Sequence, residues 1–115
     1  MMSFQRVQEY FNGILDRSIS QAVMLKYLYQ FSESIKSWEE KNINLLLQRK
    51  YIHCDETSVR INKEKYWVHS YSSGNITLKF VHKNRGKDAI EDIGIIPKYN
   101  GTIIHDCWAS YFSYD

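Results

Sequence analysis

The sequence predicts an α/β fold, and three observations carry that prediction. Apolar residues recur at steps of three and four through the first part of the chain, the spacing of a helix face. After Lys50 the pattern shifts to short runs rich in β-branched and aromatic residues, which suit a pleated surface. A short helical stretch then separates these runs from one more apolar run near the C-terminus. The predicted order is N-terminal helices, a three-stranded antiparallel meander, a short helix, and a fourth strand.

Each element has a local reason. Arg6–Leu15 carries Val7, Tyr10, Phe11, Ile14 and Leu15 on one helix face, with Gly13 as its weak point. Ser18-Ile19-Ser20-Gln21 has the form of a capping box and predicts a second helix starting there. Along that helix Met24, Leu28, Phe31, Ile35 and Trp38 form an apolar seam that needs a partner. A helix, a short turn and a capped helix also resemble half of a DNA-binding helix-turn-helix, although plain helix packing is the commoner use. Tyr51–Asp55 reads as a short buried strand ending at Asp55. Val59–Ile61 and Tyr66–Tyr71 flank a polar turn, as in a hairpin, and Gly74-Asn75 precedes the strand Ile76–Val81. Lys87–Ile93 suits a short helix closed by Gly94, and Pro97 forbids its continuation. Gly101–Asp106 is the last apolar run, again ending on an aspartate.

Composition excludes more than it identifies. The 115 residues suffice for one compact domain, and 43% hydrophobic with 24% charged residues is a globular balance. No apolar run approaches the roughly 20 residues of a membrane helix, and Met1–Gly13 lacks the apolar core of a signal peptide. Two cysteines cannot build a disulfide scaffold, so a reducing cytoplasm is expected. The net charge of +2 hides an uneven distribution: Met1–Glu56 is balanced, Thr57–Lys87 carries +6, and the remainder carries −4. A basic middle beside an acidic end attracts a polyanion and holds cations nearby; from charge alone a solvated lysine-rich hairpin is the commoner explanation.

The sharpest feature is the likeness of His53-Cys54-Asp55 to His105-Asp106-Cys107. Each places an aspartate at the end of a short apolar strand. A helical crossover allows the last strand to lie parallel to the first and beside it, which brings the two carboxylates close. Such a pair repels unless a proton or a cation lies between. Hard oxygen donors on a rigid sheet suit Mg²⁺, which keeps several waters and often binds a substrate phosphate. Two strand-end aspartates alone are a weak signal, and without further context such a pair is more often structural than functional.

His53-Cys54-Asp55-Glu56-Thr57, Tyr66-Trp67-Val68-His69, Asn84-Arg85-Gly86 and His105-Asp106-Cys107-Trp108-Ala109-Ser110-Tyr111-Phe112, in that order, resemble the catalytic core of bacterial transposases of the insertion sequence 66 family. The resemblance runs from about Leu45 to Asp115, and less specifically over residues 6–44. It implies a ribonuclease-H-like fold and an Asp-Asp-Glu triad. Asp55 and Asp106 would be its two aspartates, binding Mg²⁺ or Mn²⁺ for cleavage and joining of DNA at transposon ends. Residues 1–48 would be the helical segment before the core, and residues 49–115 the N-terminal part of the catalytic domain. The family's glutamate lies on a later helix, well beyond the second aspartate, and this sequence stops nine residues after Asp106. The family's N-terminal DNA-binding and zinc-binding regions are missing too. Glu56 cannot substitute, because neighbours on a strand face opposite ways; Glu91 and Asp92 fall in the connecting helix, and Asp115 is terminal. The expectation is therefore a fragment of a bacterial cytoplasmic transposase, inactive alone. The alternatives are a DNA- or transposase-binding inhibitor and a functionless relic. An incomplete sheet further predicts marginal stability or self-association.

Two neighbouring sets of residues carry secondary expectations. Alternation along the strands keeps His53 and Cys54 on opposite faces, which argues against a zinc site built from His53, Cys54, His105 and Cys107. Lys79, Lys83, Arg85 and Lys87 are read as DNA-phosphate contacts, or equally as charges that keep a sheet edge soluble. Trp67, Tyr71 and Phe80 are expected to face the core.

Overall fold

The computed structural model describes residues 2–114, and Asp115 lies outside the described residues. The chain forms two compact units that divide between Trp38 and Glu39.

The first unit holds α1 (Phe4–Leu15) and α2 (Gln21–Ser34). The Ser3 hydroxyl caps α1 by accepting from the Arg6 amide, and Asp16 ends that helix in the left-handed region at φ 49°. The cap of α2 is Ser20, whose Oγ accepts from the Val23 amide at 3.3 Å, and not the predicted Ser18. Ser18 lies on the connection, where its Oγ accepts from Gln8 of α1. Two serines in alternate positions compete for one cap, and the one adjoining the first helical residue reaches the free amides. The apolar seam is interrupted: Ser34 Oγ donates to the Phe31 carbonyl at 2.7 Å, Ile35 terminates the helix, and α3 (Lys36–Leu47) begins anew. Neither α1 nor α2 buries a residue fully; Leu28, Phe31 and Trp38 remain 51%, 62% and 57% exposed.

The second unit is a four-stranded mixed sheet with one face covered. Its strands are β1 (Tyr51–Ile61), β2 (Glu64–Ser73), β3 (Ile76–His82) and β4 (Thr102–Ile104), in the spatial order β3-β2-β1-β4. β2 runs antiparallel to both β1 and β3, and β4 runs parallel to β1, as the crossover argument expected. One boundary differs from the sequence reading: β1 does not end at Asp55 but continues through Glu56-Thr57-Ser58 into Val59–Ile61. Polar residues in mid-strand resemble a break in sequence, yet their backbone groups are paired along β2 from Ser72 to Glu64. The turn itself is two residues, Asn62 and Lys63, both at positive φ (51° and 69°), the geometry that joins tightly twisted strands.

Along β1 the residues alternate: Ile52, Cys54 and Glu56 are buried, while Tyr51, His53 and Asp55 are exposed. The covered face meets Leu46 of α3, Ile90 of α4 (Lys87–Ile93), Ile95 and Ile96, with Tyr71 and Leu78 from the sheet. Each fully buried aliphatic or aromatic side chain contributes about 1.5–3 kcal/mol to this core. Tyr71 lies in it and Phe80 packs against it, as expected, whereas Trp67 is half-buried beside Lys65 and Arg85 and is not part of this cluster. The turn before β4 is tied down by Tyr99, whose hydroxyl donates to the Arg49 carbonyl at 2.9 Å. Gly101 lies directly under that phenol, so closely that a Cβ would collide with it and come within 2.8 Å of the Lys50 carbonyl.

Candidate functional site

The parallel ladder of β1 and β4 lies close to both aspartates and includes neither. Tyr51 lies opposite Thr102, Ile52 opposite Ile103 and His53 opposite Ile104, a constant offset of 51 residues. Asp55 and Asp106 differ by the same number but lie two residues beyond the last paired positions. The ladder ends two residues earlier, at His53 and Ile104, so Asp55 lies within β1 and Asp106 in the bend that follows β4. Both aspartates are exposed. Asp55 also stands in one row with Ser70 of β2 and Lys79 of β3, on the uncovered face. Two strand spacings of about 4.8 Å separate Asp55 from Lys79 along that row.

The remaining predicted residues are distributed differently. His53 shares the open face with Asp55, its ring 5.6 Å from that of Tyr51, whereas Cys54 is buried on the other side. His105 turns toward Tyr111 and Phe112, with ring centroids at 4.7 and 5.2 Å. Cys107 is exposed and occupies the left-handed region at φ 62° immediately after Asp106. Both cysteines are free thiols. Among the described residues, no group of three or more His, Cys, Asp or Glu side chains is placed to hold a metal ion. The four basic residues do not form one patch. Lys79 is on the open face and Lys83 is exposed in the loop after β3, while Lys87 lies near Glu91 at 3.8 Å and 5.8 Å from the Tyr114 ring. Arg85, about one-third exposed, is engaged by Glu56.

That engagement is a feature the sequence reading missed. The Glu56 side chain is 1% exposed, and one of its oxygens accepts from Arg85 Nε at 3.0 Å and Nη2 at 2.9 Å. The other oxygen accepts from the Tyr111 hydroxyl at 3.1 Å. The guanidinium lies between two indoles, 4.9 Å from the Trp67 ring and 4.2 Å from that of Trp108. Alternation along β1 already sends Glu56 inward, and a buried carboxylate requires a cation; which of fifteen basic residues supplies it is a tertiary fact. The cluster shapes its surroundings electrostatically. Burial, then the charge of Glu56, pushes the Cys54 thiol up to about 12. Burial and Glu56 likewise raise Tyr111 well above its ordinary 10.0, and burial raises Tyr71. His69, paired across the strands with Glu56, is fully buried and donates from Nε2 to the Asn84 carbonyl at 3.2 Å.

These elements define an α/β domain with one exposed aspartate on β1, another just past β4, and a Glu–Arg–Tyr network around a buried carboxylate. The family model described as Transposase IS66 family matches residues 1–115, and the chain belongs to that family. No curated protein and no solved structure gives a significant match. Among the described residues no helix is long and apolar enough to cross a membrane.

Proposed function

We propose that this chain carries the carboxylate pair of an Asp-Asp-Glu transposase on a ribonuclease-H-like scaffold. Asp55 and Asp106 are its metal ligands, and Mg²⁺ or Mn²⁺ is the cation. The observation that carries the reading is the parallel pairing of β1 with β4, with an exposed aspartate two residues beyond the end of their ladder on each segment. The strand order and the parallel fourth strand support the scaffold assignment. Residues 49–115 then hold the N-terminal part of the catalytic domain, preceded by a helical segment over residues 1–48.

The donor set suits the ion. Two exposed carboxylates offer hard oxygens and leave room for the waters that Mg²⁺ retains. A divalent cation there would polarise the scissile phosphate and the attacking oxygen during cleavage and joining of DNA. The part played by this chain is to hold the two carboxylates accessible. With no third ligand among the described residues, we expect cation binding without strand transfer by this chain alone. Lys79 is the basic residue best placed to take a phosphate, because it shares the row and the face of Asp55. Lys83, Lys87 and the exposed part of Arg85 add positive charge, without one common surface.

Calorimetric titration with Mn²⁺ tests the pair. Asp55→Asn and Asp106→Asn should each weaken binding by tenfold or more, and unchanged affinity in both variants would sink the assignment. A second reading draws on the exposed apolar side chains of α1 and α2: a non-catalytic fragment that docks on DNA or on an intact transposase and inhibits it. Salt-sensitive DNA binding that survives loss of both aspartates would favour that reading; binding of neither DNA nor metal would leave a relic.

A further inference from the structure

We infer that Arg85 is a positioning residue for the carboxylate pair: through Glu56, Trp108 and Tyr111 it ties the segment carrying Asp106 to the strand carrying Asp55. The inference rests on the function proposed above and deepens it. The backbone ladder between β1 and β4 ends at His53 and Ile104, so it stops short of both aspartates. The next links between these segments lie on the opposite face of the sheet. Glu56, the residue after Asp55, accepts from Tyr111 on one oxygen and from Arg85 on the other. Arg85 in turn lies on Trp108, two residues after Asp106, and the Trp108 carbonyl accepts from the Tyr111 amide at 3.1 Å. Asp106 is thus held between a ladder that ends at Ile104 and a clamp that begins at Trp108.

The chemistry of the clamp calls for arginine. A planar guanidinium can donate two hydrogen bonds to a carboxylate while its faces rest on Trp67 and Trp108; a lysine ammonium can keep the charge but not the fork or the stacking. Glu56 is buried, so it does not reach the open face on which Asp55 stands, and its effect on the pair is exerted through the backbone. Groups of this kind, behind a metal's ligands, typically alter metal affinity by about 10–100-fold when removed.

The test uses the whole chain with Mn²⁺ as the probe and compares wild type, Arg85→Lys and Tyr111→Phe. Tyr111→Phe removes a single hydrogen bond and keeps the inference testable if Arg85→Lys fails to fold. Amide hydrogen exchange reports the clamp without metal, and Mn²⁺ broadening of the Asp55 and Asp106 amide signals reports the pair. In wild type both signals should broaden along one titration curve. In Arg85→Lys, exchange over residues 105–111 should speed up while that of β2 and β3 holds. The two broadening curves should separate, with affinity about tenfold weaker; Tyr111→Phe should move in the same direction by less. Wild-type exchange over residues 105–111 in both variants overturns the inference. So does a single undisplaced Mn²⁺ curve in a variant whose segment has loosened. Failure of Mn²⁺ to broaden either aspartate in wild type overturns instead the proposed carboxylate pair, a result seen before any substitution is made.

Discussion

Glu56 and Arg85, twenty-nine residues apart, meet through two hydrogen bonds from one guanidinium to one carboxylate oxygen, at 3.0 and 2.9 Å. The carboxylate is buried and the guanidinium is about one-third exposed, with a side-chain exposure of 35%. This pair joins the middle of β1 to the loop after β3, and Tyr111 extends it to the C-terminal turn. It is an ionic contact with a structural consequence, because a buried carboxylate stripped of its partners is costly.

Replacing Arg85 by alanine should therefore destabilise the second unit by about 3 kcal/mol, the lower end for breaking a buried pair, since water already reaches the guanidinium. Glu56→Gln should cost less, because the amide keeps an oxygen for one donor. Chemical denaturation of the three proteins side by side decides the order, and equal midpoints would contradict it.

Two glycines should respond in opposite directions to alanine. Gly101→Ala would drive a methyl group into the Tyr99 phenol and toward the Lys50 carbonyl, costing about 1–3 kcal/mol. Gly13 lies in α1 with nothing within 4 Å of an added Cβ, so Gly13→Ala should favour the helix by about 0.5–1 kcal/mol. Thermal melts followed by circular dichroism distinguish the two signs.

The thiols should differ in reactivity. Cys107 is exposed and should be alkylated readily at pH 8. Cys54 is buried and its thiol is pushed up to about 12, so it should resist until the domain unfolds. Mass spectrometry of the labelled chain, with and without denaturant, should show one and then two adducts.

Alkaline pH should unfold the second unit. Tyr71 and Tyr111 are raised above their ordinary 10.0 in the folded state, so above that pH the unfolded chain releases protons that the folded chain retains. The stabilising contribution is intact below pH 10 and is lost as pH rises toward the folded values, by about 1.4 kcal/mol per unit for each tyrosine. Absorbance near 295 nm should show the exposed tyrosines ionising gradually, followed by a cooperative step that coincides with loss of sheet signal. Ionisation of all nine tyrosines in one smooth curve, with the sheet intact, would contradict this.

Much of the architecture was legible from residue spacing. The steps of three and four in Arg6–Leu15 and the runs after Lys50 were sufficient for the helices and the sheet, because each pattern reflects burial on one face of a regular element. The parallel fourth strand followed from its helical crossover. Misreadings fell where local signals were near-equal. Ser18 and Ser20 are both competent caps, and only helix geometry selects the second. Glu56-Thr57-Ser58 looked like the end of a strand because a polar residue facing a core is rare unless something distant pairs with it.

The sequence alone determined the periodicities, the opposite faces of Asp55 and Glu56, and the residues that resemble the transposase family. These depend on chain neighbours, and the backbone converts neighbour relations directly into faces and turns. Tertiary structure decided the rest: the register that sets Tyr51–His53 beside Thr102–Ile104, and the choice of Arg85 as the cation for Glu56. Each of those depends on which distant segments share space, and that is determined by the packing of the whole sheet.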